Sequence, residues 1–183
     1  MRVRPIVWLI AAAVVAIDQL SKQWALSALE EGVARPLLGE VLSLELVFND
    51  GAAFSLGAGY TWVLTLVAAV VTVGIVVYAR RARSNPAAIL FGVGLGGAVG
   101  NLIDRLFRAP GFGQGHVVDM INYNGWFVGN VADIAIVGAA LVFVVMGVAG
   151  RKVLEPAPDA GDAADAGDAP DAADDAADAE GRG

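Results

Sequence analysis

Four apolar stretches of membrane-crossing length constrain this chain more than any other feature. A helix that crosses a hydrocarbon core of about 30 Å needs roughly 20 apolar residues. The stretches Ile6–Ala25, Thr61–Tyr78, Ala87–Phe107 and Trp126–Val148 meet that need. In lipid, a backbone must satisfy its own hydrogen bonds, so each stretch is expected to be a helix. The expected fold is mainly α, a polytopic membrane protein with four transmembrane helices.

Positive charge orients the spans. Arg2 and Arg4 precede the first span, Arg80, Arg81 and Arg83 join the second to the third, and Arg151 and Lys152 follow the fourth. With four spans all seven fall on one side, which the positive-inside rule makes cytoplasmic. Both termini are then cytoplasmic, and loops 26–60 and 108–125 face outward. A basic start followed by an apolar run also fits a cleaved leader. Asp18 and Lys22, however, interrupt the run where a small-residue cleavage site would form, so the first stretch reads as a retained span.

The net charge of −7 belongs to the C-terminus. Ten of the 19 acids lie between Glu155 and Glu180, and residues 1–154 carry eleven basic against nine acidic side chains, a balance of +2. The tail repeats Asp every third residue from Asp159 to Asp174 among Ala, Gly and Pro. With no apolar face and many like charges it is expected to stay disordered. The chain therefore divides into a membrane domain, residues 1–152, and an acidic cytoplasmic tail, residues 153–183. No basic patch with interleaved aromatics supports nucleic-acid binding.

Composition also excludes chemistries. There is no cysteine, which removes disulfides, thiolate metal sites and Cys nucleophiles. The single histidine, His116, rules out a multi-His metal site within one chain. Ser21 and Lys22 are adjacent and point roughly 100° apart on a helix, so they form no dyad by themselves. No cofactor or metal is expected.

The remaining polar residues need a reason, because a charge at membrane depth is costly and marks a functional site by default. Asp18, Gln19, Ser21 and Lys22 fall in the outer half of span one. Asn101, Asp104 and Arg105 end span three, and Asn130 and Asp133 begin span four. All lie at similar depth on one side. Asn101 and Arg105, at i,i+4, share a face, as do Asn130 and Asp133 at i,i+3. Asp104 is placed to pair with Arg105 from another turn or with Lys22 from another helix. Asp18, Lys22 and Asp104 read as ion-paired helix glue, whereas Asp119 and Asp133 have fewer cations nearby. Two such carboxyls held close cannot both ionise easily. The ionised one would then activate water while the protonated one polarises an amide carbonyl.

Two further patterns concern architecture. Leu42, Leu44, Leu46 and Phe48 alternate with Ser43, Glu45, Val47 and Asn49, a strand period, and Asn49-Asp50-Gly51 reads as a turn. This suits either an ordinary outer hairpin or a half-apolar ledge beside a site. Gly92, Gly96 and Gly100 recur every fourth residue in span three, as close helix packing requires.

At these residues the chain resembles bacterial signal peptidase II, the lipoprotein signal peptidase, an integral-membrane aspartyl peptidase. The likeness covers about residues 5–150. It rests on Asp18-Gln19-Leu20-Ser21-Lys22, Asn49-Asp50-Gly51-Ala52-Ala53-Phe54, Gly100-Asn101-Leu102-Ile103-Asp104-Arg105-Leu106, Gly115-His116-Val117-Val118-Asp119 and Asn130-Val131-Ala132-Asp133, in that order. The resemblance implies Asp119 and Asp133 as catalytic dyad, and Asn49, Asn101, Arg105 and Asn130 as the substrate-binding pocket. Asp18, Lys22 and Asp104 would be structural, and the outer loop would form a β-containing extracytoplasmic cradle. The implied substrates are lipidated prolipoproteins, met in the lipid of the bacterial inner membrane by a monomeric enzyme, with cleavage just before the diacylglyceryl-modified cysteine. Gly129 departs from the bulky Phe usual before the Asn, and the acidic tail has no family counterpart. The competing readings are a small proton- or ion-coupled transporter with a relay of carboxylates, and a non-enzymatic assembly factor.

Overall fold

The computed structural model describes residues 2–51, 60–82, 84–151 and 154. Its elements, in chain order, are α1 (Pro5–Ala28), β1 (Arg35–Leu38), β2 (Leu42–Asn49), α2 (Thr61–Ala79), α3 (Asn85–Phe107), β3 (Val117–Asn122), β4 (Val128–Gly129) and α4 (Val131–Val148). All four helices are long and apolar enough to cross a membrane. Residues 52–54 of the turn motif lie outside the described residues, as does the expected tail apart from Leu154, which bridges to Ala82.

The helices form a bundle centred on α3, which packs against α1, α2 and α4. The glycine ridge permits this. A Cβ on Gly92 would stand 2.8 Å from the Ile10 Cβ, and one on Gly96 would stand 2.6 Å from the Val14 Cβ. On the other side a Cβ on Gly97 would meet the Ala132 carbonyl at 2.5 Å. No side chain fits at those separations, so α1 and α4 touch the α3 backbone directly. The buried apolar cluster at one end of the bundle, Val7, Ala11, Ala79, Ala87, Ala88 and Leu95, is correspondingly small-residue rich. The large apolar side chains face outward instead: Trp62, Leu66 and Val70 on α2, and Val137, Leu141 and Val144 on α4, are all exposed. A bundle with its bulkiest apolar groups on the outside is suited to lipid, where no hydrophobic force drives them inward.

At the opposite end from Arg4, which hydrogen-bonds Asn85 at 2.8 Å, sits an antiparallel sheet in the order β1-β2-β3-β4. Leu46 of β2 and Val118 and Met120 of β3 cover Ala25 near the end of α1. The predicted strand over Leu42–Asn49 is therefore a central strand of this sheet; of its alternating apolar series only Leu46 is buried, and Phe48 is exposed.

The fourth span begins later than the sequence suggests. The expected helical residues Trp126–Asn130 instead complete a hairpin. Asn124 and Gly125 adopt φ of 52° and 74°, Val128 pairs with Asn122 and Gly129 with Ile121, and Asn130 is the N-cap of α4. An apolar run cannot by itself tell a short strand from a helix start; here the cap and the turn decide.

Candidate active site

The two aspartates singled out in the sequence reach one cavity by different routes. On β3, Val118 and Met120 face α1, so the alternating residues Val117 and Asp119 face the other way, into a cavity of about 380 Å³. Asp133 occupies the third residue of α4, in a capping box with Asn130. The Asn130 Oδ1 accepts from the Asp133 N–H at 3.0 Å, and the Asp133 Oδ2 accepts from the Asn130 N–H at 3.0 Å. The helix start thus aims Asp133 at the cavity. Asn49, Gly51, Asn101, Arg105, Phe127, Val128 and Val137 complete the lining.

Asparagine amides join the two carboxyls. Asn130 donates through Nδ2 to Asp119 Oδ1 at 2.6 Å and to Asn101 Oδ1 at 3.1 Å. Asn101 donates through Nδ2 to Asp133 Oδ1 at 2.8 Å. Asn49 stands opposite Val117 on the neighbouring strand, two residues from Asp119, and donates to Asp119 Oδ2 at 2.9 Å. The turn read at Asn49-Asp50-Gly51 holds it there, since the Gly51 N–H donates to Asn49 Oδ1 at 2.9 Å. Each of the four carboxyl oxygens accepts one N–H, and each keeps a further lone pair.

Burial pushes the Asp119 carboxyl up to about 7, with the neighbouring Asp133 adding to the effect. Hydrogen bonds from Asn49 and Asn130 and the charge of Lys22 oppose it. A carboxyl that changes protonation near neutrality, beside a second one, can pass a proton in either direction.

Arg105 lines the same cavity. Its Nη2 donates to the Gly51 carbonyl at 2.5 Å, while its buried Nη1 has no hydrogen-bond partner among the described residues. It does not pair with Asp104, one of the two partners expected for that acid. Asp104 pairs instead with Lys22 at 2.8 Å and with Arg108 at 2.6 Å. Arg108 was not singled out by sequence, though its i,i+4 spacing from Asp104 is a legible signal. Gln19, seen only as one more polar residue, donates to Asp18, Asp104 and the Gly100 carbonyl.

Lys22, Asp18 and Asp104 are wholly buried. With Arg108 they make a cluster of two cations and two anions, so no net charge is stranded. The cluster also holds the backbone beside both carboxyls. Asp18 Oδ1 accepts from the Ala132 N–H at 3.0 Å, and Asp104 Oδ2 from the Val118 N–H at 3.2 Å. Those amides belong to the residues just before Asp133 and Asp119. The glue read from sequence is therefore specific to the two segments that carry the carboxyls.

His116 uses its backbone N–H to bond the Ala109 carbonyl, and Ser21 Oγ bonds the Asp18 carbonyl within α1; neither joins the cavity. No group of three or more His, Cys, Asp and Glu residues placed to hold a metal occurs among the described residues. The Gly129 position is tight: a Cβ there would lie 3.0 Å from Asp133 Oδ2 and 3.2 Å from the Phe127 ring. Phe127, stacked on Tyr123 at 4.4 Å between centroids, already supplies the aromatic wall.

Four lipid-suited helices that bring one buried and one half-buried carboxyl to a single cavity beneath a small sheet define a polytopic membrane protein of the aspartyl-peptidase kind. The family model described as Signal peptidase (SPase) II matches residues 10–148. The chain belongs to that family. It is similar to the lipoprotein signal peptidase of Rhodococcus jostii, with 48% identity over 84% of this chain and 76% of that one. The enzymes of the same name from Mycobacterium avium (48%, over 77% of this chain and 78% of that one) and Bifidobacterium adolescentis (47%, over 75% and 73%) are comparably similar. Two solved structures described as bacterial membrane enzymes share the fold. Their TM-scores are 0.66 and 0.63 at 22% and 23% identity, covering 81% and 75% of this chain and 93% and 88% of theirs.

Proposed function

We propose that this membrane aspartyl endopeptidase removes signal peptides from diacylglyceryl-modified prolipoproteins, cleaving just before the lipidated cysteine, with Asp119 and Asp133 as the catalytic dyad. The observation that carries the residue assignment is the shared amide network, in which Asn130 and Asn101 hold both carboxyls in one cavity. The ionised carboxyl of the pair takes a proton from water as its oxygen attacks the scissile carbonyl carbon. The protonated partner donates a hydrogen bond to the carbonyl oxygen. Collapse of the tetrahedral intermediate breaks the C–N bond, and the proton taken from water goes to the departing amine. No cofactor enters.

Arg105 suits a binding role. Its free Nη1 faces the demand of a substrate carbonyl, since a buried guanidinium N–H left unpaired costs stability. Asn49, Asn101 and Asn130 bind and orient in the same way. The enzyme acts in the bacterial cytoplasmic membrane, with both termini cytoplasmic and the sheet and dyad toward the outer face. The basic residues at the opposite end of the bundle support this orientation. A proton-coupled relay is disfavoured because the buried charged groups among the described residues, Asp18, Lys22, Asp104, Arg105 and Asp119, gather at the sheet end. The test is cleavage of a lipidated precursor by purified protein. Asp119→Asn and Asp133→Asn, each still folded, are expected to be inactive, and near-parental turnover by either would sink the dyad.

A further inference from the structure

The buried Lys22 has a consequence beyond ion pairing. A lysine ammonium can only donate, and Lys22 Nζ lies 2.9 Å from Asn101 Oδ1. That contact, together with the Asn130 Nδ2 donor on the same oxygen at 3.1 Å, fixes which way the Asn101 amide faces: its oxygen toward Lys22, its NH₂ toward Asp133. The Asn130 amide is dictated in the same manner, because its oxygen caps the Asp133 N–H, which leaves its NH₂ for Asp119 and Asn101. Asn49 is locked by the Gly51 N–H. All four dyad oxygens therefore face donors that cannot reverse, and the one mobile proton is confined to the lone pairs that look into the cavity. Lys22 also grips Asp18 and Asp104, at 2.9 and 2.8 Å, the two acids that hold Ala132 and Val118.

We infer that Lys22 is a positioning residue for the reaction: through Asn101 it orients the donor on Asp133, and through Asp18 and Asp104 it sets where the two catalytic segments sit. The inference rests on the dyad reading above. Lys22 itself is wholly enclosed and meets no substrate. The charged or titratable groups that act on the dyad are few. They are Lys22 and Asp18 from α1, Arg105 from α3 and Tyr123 after β3, while Asp104 and Asp50 act on Arg105. Of these, Lys22 is the cation linked to Asp133 by a single amide.

The experiment compares two variants with the parent in the lipidated-precursor assay across pH. The double variant Asp18→Asn, Lys22→Met removes one anion with the cation, leaves Asp104 with Arg108, and keeps an oxygen for the Ala132 N–H. It is expected to fold and to keep KM, to lose about a hundredfold in kcat through mispositioning, and to move the acid limb of kcat up by about one pH unit. The limb rises because the lost cation acts on both carboxyls and outweighs the lost Asp18 anion, which opposes it at Asp133 alone. Asn101→Asp keeps the Lys22 contact as an ion pair but replaces the donor on Asp133 with an acceptor. It is expected to fold with a melting temperature lowered by the acceptor–acceptor contact and to be inactive, whereas a purely structural role for this contact predicts an active enzyme. Parental kcat and pH profile in the double variant overturn the inference, as does full activity of Asn101→Asp. Should the double variant fail to fold, Lys22→Arg, which keeps the cation but moves its donor relative to Asn101, takes its place: a lowered kcat with parental KM is expected, and parental kcat overturns the inference. Asp133→Asn run in parallel separates the causes: if it cleaves, the dyad reading has failed and takes this inference with it, and if it is inactive while the double variant is parental, only the role of Lys22 has failed.

Discussion

Removing the Asp119 charge should make this enzyme more stable at alkaline pH while destroying its activity. The Asp119 carboxyl sits at about 7 in the fold against an ordinary 3.8. The folded state thus holds a proton that the unfolded chain has released between those values, and stability falls as pH rises through that window. At about 1.4 kcal/mol per pH unit the full penalty above pH 7 is about 4 kcal/mol. Asp119→Asn removes it. The substitution has its own cost, because both Asp119 oxygens accept from amide N–H groups, of Asn130 and of Asn49. Whichever way the new amide turns, its NH₂ meets a donor, at a cost of about 1–3 kcal/mol. The variant should therefore be less stable than the parent near pH 4, cross it between about pH 4.5 and 6, and exceed it by about 1–3 kcal/mol at pH 8. Thermal unfolding in mild detergent, followed by tryptophan fluorescence at pH 4, 6 and 8, measures this. Parallel pH profiles for variant and parent, with no crossing, would refute the claim that the buried carboxyl is held at a cost.

Other perturbations have equally definite outcomes. Gly115→Ala places a Cβ 2.2 Å from the Asp104 carbonyl and 2.9 Å from that of Arg108. Both are backbone atoms that cannot swing aside, so β3 must shift. Turnover is expected to fall at least about a hundredfold, and a lowered melting temperature with unchanged turnover would show that Asp119 does not depend on this contact. Chelators should leave the cleavage rate unchanged, because two carboxyls suffice for the chemistry; inhibition reversed by added metal would contradict the mechanism. Deleting residues 153–183 should preserve turnover of a lipidated precursor, since that composition offers no apolar face to fold upon, and a well-expressed but inactive truncation would show that the tail contributes.

Much of the fold was legible because lipid imposes simple demands. Length and apolarity marked four helices, and a four-residue glycine period marked the face where α1 meets α3. Alternation marked β2, and a Gly-containing turn marked its end. The start of α4 was misplaced because Trp126, Phe127 and Val128 are as apolar as the helix they precede; only pairing with β3 and the Asn130 cap separate them from it. In the site, Asp119 and Asp133 stood out as carboxylates lacking nearby cations. The pairing of Asp104 with Arg108 in place of Arg105 was missed, since helix spacing permits several partners and only the packed bundle selects among them.

The sequence by itself determined the number of spans, their relative sidedness and the residues able to do acid–base work, because each follows from local composition and period. The tertiary structure alone decided that a strand and a helix cap, fourteen residues apart in sequence, present their carboxyls to one cavity, and that three asparagines face them as donors only. It also decided that Lys22, read as glue, grips both acids that hold the dyad's backbone. Those outcomes depend on contacts between segments that no local pattern encodes, and a buried polar group must find whichever partner the packing brings within reach.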